Sequence, residues 1–331
     1  MYDVGDKGGT KGHREQAGTR RRSPEQGLLG VVIEFLSMRM SRPTVNISGL
    51  CFVVLLMAAG CQEKETSLPA PAPRIDDELA AYLAAFPYER FQVVEIPRAG
   101  KFYVNDHSGK VMAHFRKGEP SSPDLIEAFR EHVVPGTTAI DVGAHIGSLA
   151  VPLASLVGRE GRVYAFEPQR AVYRELYHNL KLNGHDHAVP LLLAVSSEAG
   201  FLEMDPPFAV QETPDGPLIQ ELGFGRIGQG GERVEARTLD SFGFEDVSLI
   251  KIDVEGHEVD VLKGAKETIL RNHPVLIIEM GNTNKKIIEP MLIKEGYRLE
   301  KLTDHWMDYI AVHDPGAVEK PGDAEAIPEP R

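Results

Sequence analysis

The chain has 331 residues, with 36 Lys and Arg against 49 Asp and Glu and a formal net charge of −13. That length allows one large domain or two small ones, and the acidic balance disfavours a nucleic-acid phosphate backbone as partner. Its two cysteines, Cys51 and Cys61, both lie near the N-terminus, which excludes a disulfide framework or a cysteine-built metal site in the rest of the chain.

Residues 1–37 are Gly-rich, charged and without periodicity, and read as disorder or as sequence upstream of the true start. Met38 and Met40 are candidate starts. Arg39 and Arg42 then precede an apolar run, Ile47–Ala59, and the pair Gly60-Cys61. A basic segment, a short apolar core and small residues have the form of a secretory signal over 38–61. The apolar run is too short to span a bilayer comfortably. A-A-G-C resembles a bacterial lipobox, although Ala58 stands where leucine is usual. That resemblance implies a lipid on Cys61, a membrane-anchored lipoprotein and, from Gln62, outer-membrane sorting. A start at Met57 would instead leave a cytoplasmic protein. Residues 62–74 are polar and Pro-rich, as a tether between an anchor and a folded domain is.

Residues 75–136 are expected to form an N-terminal β/α addition. Ile75–Phe86 has helical spacing. Phe91–Ile96, Lys101–Asn105 and Val111–Phe115 read as three strands of an antiparallel meander. Ser122 as N-cap and Pro123 at the first position open a helix through Val133. Such an addition is expected to cover a sheet and help wall a substrate site. His107, His114 and His132 show no ligand spacing.

Residues 137–313 carry the main domain. Thr138–Val142 is a predicted strand, Gly143 and Gly147 flank a tight turn, and Ser148–Val157 is an apolar helix. Arg162–Phe166 is the next strand, with Glu167 at its carboxyl end. In an open α/β sheet, ligands bind outside the carboxyl ends of the strands, where glycines let the backbone approach. The glycines are spaced G-x-x-x-G after Asp141, unlike the G-x-G-x-x-G that seats a pyrophosphate. An acid there suits a ligand with a cationic group, and Glu167 stands where a carboxylate accepts ribose hydroxyls. Adenosine with a charged amino-acid tail, S-adenosylmethionine, fits both features. A plain βαβ unit with a capping acid is the alternative. The stretch resembles the first motif and acidic post of Rossmann-like methyltransferases.

Arg170–Asn183 is a predicted helix closed by Gly184. Val189–Val195 reads as one buried parallel strand. Ser196 and Ser197 follow, either contacting a base or capping a turn. Residues 205–231 are rich in Gly and Pro and are expected to form a long irregular flap between strands Phe201–Met204 and Arg233–Thr238, with Arg226 as its candidate substrate contact. Leu249–Val254 is a strand that puts Asp253 and Glu255 at its carboxyl end, before His257 and a helix over Glu258–Arg271. Pro274–Met280 is the next strand, with Glu279 near its end and Asn282 just beyond. Acids ending buried strands are costly unless functional or paired, and Lys251 is a candidate pairing partner. Ile287–Glu295 is helical. Tyr297–Leu302 and Tyr309–His313 read as a closing hairpin, with Trp306 in the turn. Residues 314–331 form a Pro- and Glu-rich tail.

In order and spacing, D-V-G-A-H-I-G, V-Y-A-F-E-P, A-V-S, R-T-L-D, L-I-K-I-D-V-E-G-H-E and P-V-L-I-I-E resemble the FkbM family of methyltransferases over about residues 120–313. The resemblance implies a Rossmann-like α/β fold, a mostly parallel seven-stranded sheet of order 3-2-1-4-5-7-6. It also implies S-adenosylmethionine as donor and a hydroxyl oxygen of a sugar or small metabolite as acceptor. Cofactor contacts fall on Asp141, Gly143, His145, Gly147, Glu167, Ser196 and Asp253. His145 stands where many members have asparagine, and Ser197 where aspartate is frequent. An alcohol acceptor must lose a proton, so a base is useful; Asp253 is the first candidate and His257 the second. Glu255, Glu279 and Arg226 are the substrate candidates. No metal is assigned, although Asp253, Glu279 and Asn282 are oxygen ligands of the kind that hold Mg²⁺. A second reading is a tethered, non-catalytic binding module, because an exported enzyme would lack a donor made in the cytosol.

Overall fold

A computed structural model of the chain describes residues 75–105, 109–204, 209–213, 216–220, 226–228, 231–303, 307–314 and 316. All of them belong to one compact unit, Thr66–Arg331. The signal segment, Cys61, the tether, His107, Trp306 and almost all of the C-terminal tail lie outside the described residues.

Helix α1 (Asp77–Ala84) starts at Asp76, whose carboxylate accepts the Leu79 N–H at 2.7 Å. β1 (Gln92–Ile96) and β2 (Gly100–Val104) form an antiparallel hairpin. α2 (Lys110–Arg116) and α3 (Pro123–His132) follow. The main domain then runs β3 (Thr138–Val142), α4 (Ala150–Val157), β4 (Arg162–Phe166), α5 (Arg170–Leu182) and β5 (Ala188–Leu191). β6 (Ala194–Val195), β7 (Gly200–Glu203) and β10 (Arg233–Arg237) make a small second sheet, and β8 (Ala209–Thr213) pairs with β9 (Gly216–Gln220). Last come β11 (Val247–Ile252), α6 (Glu258–Gly264), α7 (Lys266–Asn272), β12 (Val275–Glu279), α8 (Asn282–Lys294), β13 (Tyr297–Lys301) and β14 (Asp308–His313).

The large sheet has the order β5-β4-β3-β11-β12-β14-β13. Numbered within the sheet, that is 3-2-1-4-5-7-6, as expected. β3, β4, β5, β11 and β12 are parallel, and β14 runs antiparallel to both neighbours. The chain fills one side of β3 and then returns to fill the other, so the carboxyl ends of β3 and β11 part at the switch point where this architecture binds ligands. Side chains alternate across the sheet. Ala139, Leu249 and Ile277 join one buried cluster with α3, α4, α5 and the N-terminal hairpin. Ile140, Ile250 and Ile278 join the cluster on the other face with α6, α7 and α8. The N-terminal addition thus shares a core with the main domain.

Four local expectations differ. Val111–Phe115 is part of helix α2 and not a strand. Alternation would have buried 111, 113 and 115, but the buried pair is Met112 and Phe115, three apart, with Phe115 against Phe102 at 4.4 Å between ring centres. The strand expected over Val189–Val195 is split. β5 is an edge strand, where Pro190 is tolerated, and after Leu191 the chain crosses to pair β6 with β10 in the second sheet. The helix expected over Glu258–Arg271 breaks at Ala265 into α6 and α7. A side chain at Gly264 would overlap the Ser196 carbonyl, while Asp240 receives the Glu267 and Thr268 N–H groups at 3.0 and 2.8 Å and opens α7 as a separate helix. The expected irregular flap contains the β8–β9 hairpin.

Candidate functional site

One cavity of about 260 Å³ opens at the carboxyl edge of the large sheet. Its floor is the turn after β3. Gly143 has φ +80, and a Cβ there would overlap the carbonyl of Asp253. Only glycine lets the β3 turn pass that closely under the end of β11. Gly147, at φ +88, would meet Leu176 of α5. Between them His145 takes φ +52, a left-handed conformation in which Asn, Asp and His are enriched among non-glycine residues.

Glu167 fixes that turn. Its carboxylate accepts the His145 N–H at 2.9 Å through one oxygen and the Gln169 N–H at 2.9 Å through the other. It is buried, and burial pushes its pKa up to about 7 against these two hydrogen bonds. Its carboxylate still has free lone pairs and lines the cavity. Gln169 lines it too, and its Nε2 is buried without a hydrogen-bond partner. A ligand with hydroxyls or ring nitrogens satisfies such an orphan. Phe166, Leu193 and Val195 add an apolar wall. The residues present therefore fit the ribose and base of an adenosine.

Lys251 is the electrostatic hub, placed by register. It sits directly beside Asp141 in the β3–β11 pairing, and Asp253 lies two residues further on the same face. Its Nζ is 3.3 Å from Asp141 and 3.5 Å from Asp253, and donates to the Gly143 carbonyl at 3.0 Å. Burial works against the ammonium, but Asp141, Asp253 and Glu279 outweigh it and hold the lysine charged. Asp141 is fully buried, is not part of the cavity lining, and neither of its oxygens accepts an aligned hydrogen bond. It acts on the cavity through Lys251. Asp253 does line the cavity, with its side chain 32% exposed.

On the other side of β11 the wall is acidic. Glu255, Glu279 and Asp308 all line it. Glu255 takes φ +52, and burial, then Asp253, raise its pKa against Arg226 and Lys110. Burial, then Asp253 and Asp308, push Glu279 up to about 8. Burial, then Asp253, push Asp308 up to about 6. Lys110, His114, Ser122 and Asp124 close this end from α2 and α3, so the N-terminal addition does wall the site. Met204 and Ile227 close the remaining side. Arg226 is exposed and outside the lining, and reaches the site as a charge beside Glu255.

His257 lines the cavity, and its Nε2 is 3.0 Å from Ser196 Oγ. Burial lowers its pKa, keeping the imidazole neutral near neutral pH. Ser196 is buried behind it, while Ala194 and Val195 reach the cavity. Asn282 begins α8 outside the lining. Among the described residues, no three His, Cys, Asp or Glu side chains are grouped to hold a metal ion.

Of the residues singled out from sequence, the cavity gathers Gly143, His145, Glu167, Asp253, Glu255, His257 and Glu279. Asp141, Gly147 and Ser196 support that wall from behind. Gln169, Asp308 and the α2–α3 residues were not anticipated. Lys251 was anticipated only as a pairing partner, yet its two-residue spacing to Asp253 already put both on one face.

A family model described as the methyltransferase FkbM domain matches residues 141–314. The hexuronic acid methyltransferase AglP of Haloferax volcanii is 26% identical over 170 residues, 51% of this chain and 66% of that protein, just under two thirds of its length. A methyltransferase FkbM from Methylobacillus flagellatus KT superposes with a TM-score of 0.40 at 18% identity, covering 57% of this chain and 50% of that one. A SAM-dependent methyltransferase from Aquifex aeolicus superposes at 0.34 with 16% identity, covering 58% and 91%.

Proposed function

The chain belongs to the FkbM family of methyltransferases, its methyl donor is S-adenosylmethionine, and we propose that it methylates a hydroxyl oxygen of a sugar or small metabolite. The observation that carries this reading is the arrangement of one cavity across the switch point. Glu167 and Gln169 stand on one side, and the carboxylates of Asp253, Glu255 and Glu279 on the other. The Haloferax relative, named for a hexuronic acid, supports a sugar acceptor.

When bound, S-adenosylmethionine supplies an electrophilic methyl group on a sulfonium sulfur. Glu167 and Gln169 would hold its adenosine, and Asp253 would face its cationic end. The protein's own work is alignment and proton removal. Asp253 is fixed by Lys251 at 3.5 Å and is the group we assign to take the acceptor's hydroxyl proton. His257 is neutral and faces the same cavity, but its Nε2 is engaged with Ser196. It positions rather than abstracts.

The test is incubation of the protein with methyl-labelled donor and a panel of hydroxylated sugars, reading label in the ether product. Label in carboxyl esters or amines, or in no acceptor, would reject methylation of a hydroxyl oxygen. The A-A-G-C motif at 58–61 supports a membrane-anchored location. Palmitate label that is lost in Cys61→Ser is the expected result, and an unlabelled parent protein rejects the anchor. Donor binding without turnover on any acceptor would favour the tethered, non-catalytic reading.

A further inference from the structure

Glu279 and Asp308 are direct cross-strand partners in the antiparallel β12–β14 pair. Both line the cavity. Like charges directly opposite on a sheet face are destabilising unless something stands between them. Asp308 is 6% exposed, and no hydrogen bond or salt bridge to its carboxylate is found among the described residues. A carboxylate so deeply placed calls for a partner.

Among the described residues, the charged groups that act most strongly on the pair include one cation. The cation facing the pair is Lys251, already engaged by Asp141, Asp253 and the Gly143 carbonyl. The other charged neighbours are themselves acids: Asp253 and Glu255 face Glu279, and Asp253 and Asp124 from α3 face Asp308. Lys251 therefore serves Asp141, Asp253, Glu279 and Asp308 together. The pair is also on the acceptor side. β12 and β14 lie one and two strands beyond β11, away from Glu167, or ~5 and ~10 Å at the usual strand spacing.

We propose that Glu279 and Asp308 form a subsite for a protonated amine, so that the hydroxyl methylated belongs to an amine-bearing acceptor of the amino-sugar type. The proposal rests on the methyltransferase reading and refines its acceptor. A uronic acid would bring its carboxylate against this wall and be repelled. An amine would sit between the two carboxylates and relieve their repulsion, with the methyl-accepting hydroxyl left free to face Asp253.

Calorimetry on the full chain loaded with S-adenosylhomocysteine tests this with D-glucosamine, D-glucose and D-glucuronate, three probes of one ring size. Glucosamine should bind about tenfold tighter than glucose, or ~1.4 kcal/mol, and glucuronate more weakly than glucose. Asp308→Asn should erase the preference for glucosamine over glucose. It should also raise the melting temperature, because it removes a carboxyl whose ionised form burial and Asp253 disfavour, which shows that the variant folds. Glu279→Gln provides the second variant with the same expected loss. Equal binding of the three sugars, binding of none, preference for glucuronate, or a preference that survives both substitutions overturns the proposal. Loss of S-adenosylhomocysteine binding would strike instead at the methyltransferase reading.

Discussion

The roles proposed for Asp253 and His257 rest on their surroundings. Asp253 is partly open to the cavity with an ammonium at its back. His257 is tied to Ser196. Asp253→Asn should lower kcat by about 100-fold or more, the range of a lost general base, whereas His257→Gln should cost less than about tenfold. Steady-state rates on any turned-over acceptor check this, and a larger loss in His257→Gln would reverse the assignment. Gly143 makes a separate claim. Gly143→Ala adds a Cβ that overlaps the Asp253 carbonyl at φ +80 and should abolish donor binding. Gly184→Ala, at φ +68 with nothing within 4 Å, should cost only about 1–2 kcal/mol, the usual penalty of the left-handed conformation. Chemical denaturation and donor titration of the two variants separate them. At this scale the glycine turn, Glu167 and Asp253 were legible in the sequence, because turns and strand-end acids leave local signatures. Asp141 was not. Its identity suggests a ligand contact, but its register beside Lys251 on another strand buries it as half of an ion pair.

Among the elements, β3, β4, β7, β10, β12 and the closing hairpin are β-rich runs bounded by turn residues and were predictable to within a residue or two. α2 and the β5–β6 crossing were not. Phe115 buries against Phe102, and β6 finds its partner β10 some forty residues later, so long-range contacts decide both. The break between α6 and α7 has a similar origin, since Asp240 comes from the R-T-L-D segment to cap α7. Asp240→Ala should destabilise the fold by about 1–2 kcal/mol, read by urea unfolding; no change would mean that α7 starts without the cap. The β12–β14 pair carries a pH dependence. Glu279 is pushed up to about 8, first by burial and then by Asp253 and Asp308, with Glu255 adding and Lys251 opposing. The folded state thus holds a proton that the unfolded chain has released between about pH 4.5 and 8. That contribution to stability is present below the ordinary carboxyl pKa and is lost as pH rises through about 8. Glu279→Gln removes the loss, so its melting temperature should gain on the parent steadily across that window. A gap that stays constant with pH would contradict the account.

Across the folded unit, two apolar clusters on opposite faces of one sheet frame a cavity at the carboxyl edge, and the N-terminal helices α2 and α3 close it. The fold class, strand order and donor follow from motifs strung over the main domain. The acceptor side was less legible because α2, α3, β12 and β14 meet there from distant parts of the chain. The central claim is that Glu167 and the glycine turn after β3 bind the donor. Calorimetric titration of S-adenosylmethionine into the full chain and into Glu167→Ala tests it most directly. The account predicts saturable one-to-one binding that weakens at least about tenfold, or ~1.4 kcal/mol, in the variant. No binding to the parent at millimolar donor, or the same affinity in both proteins, would contradict it.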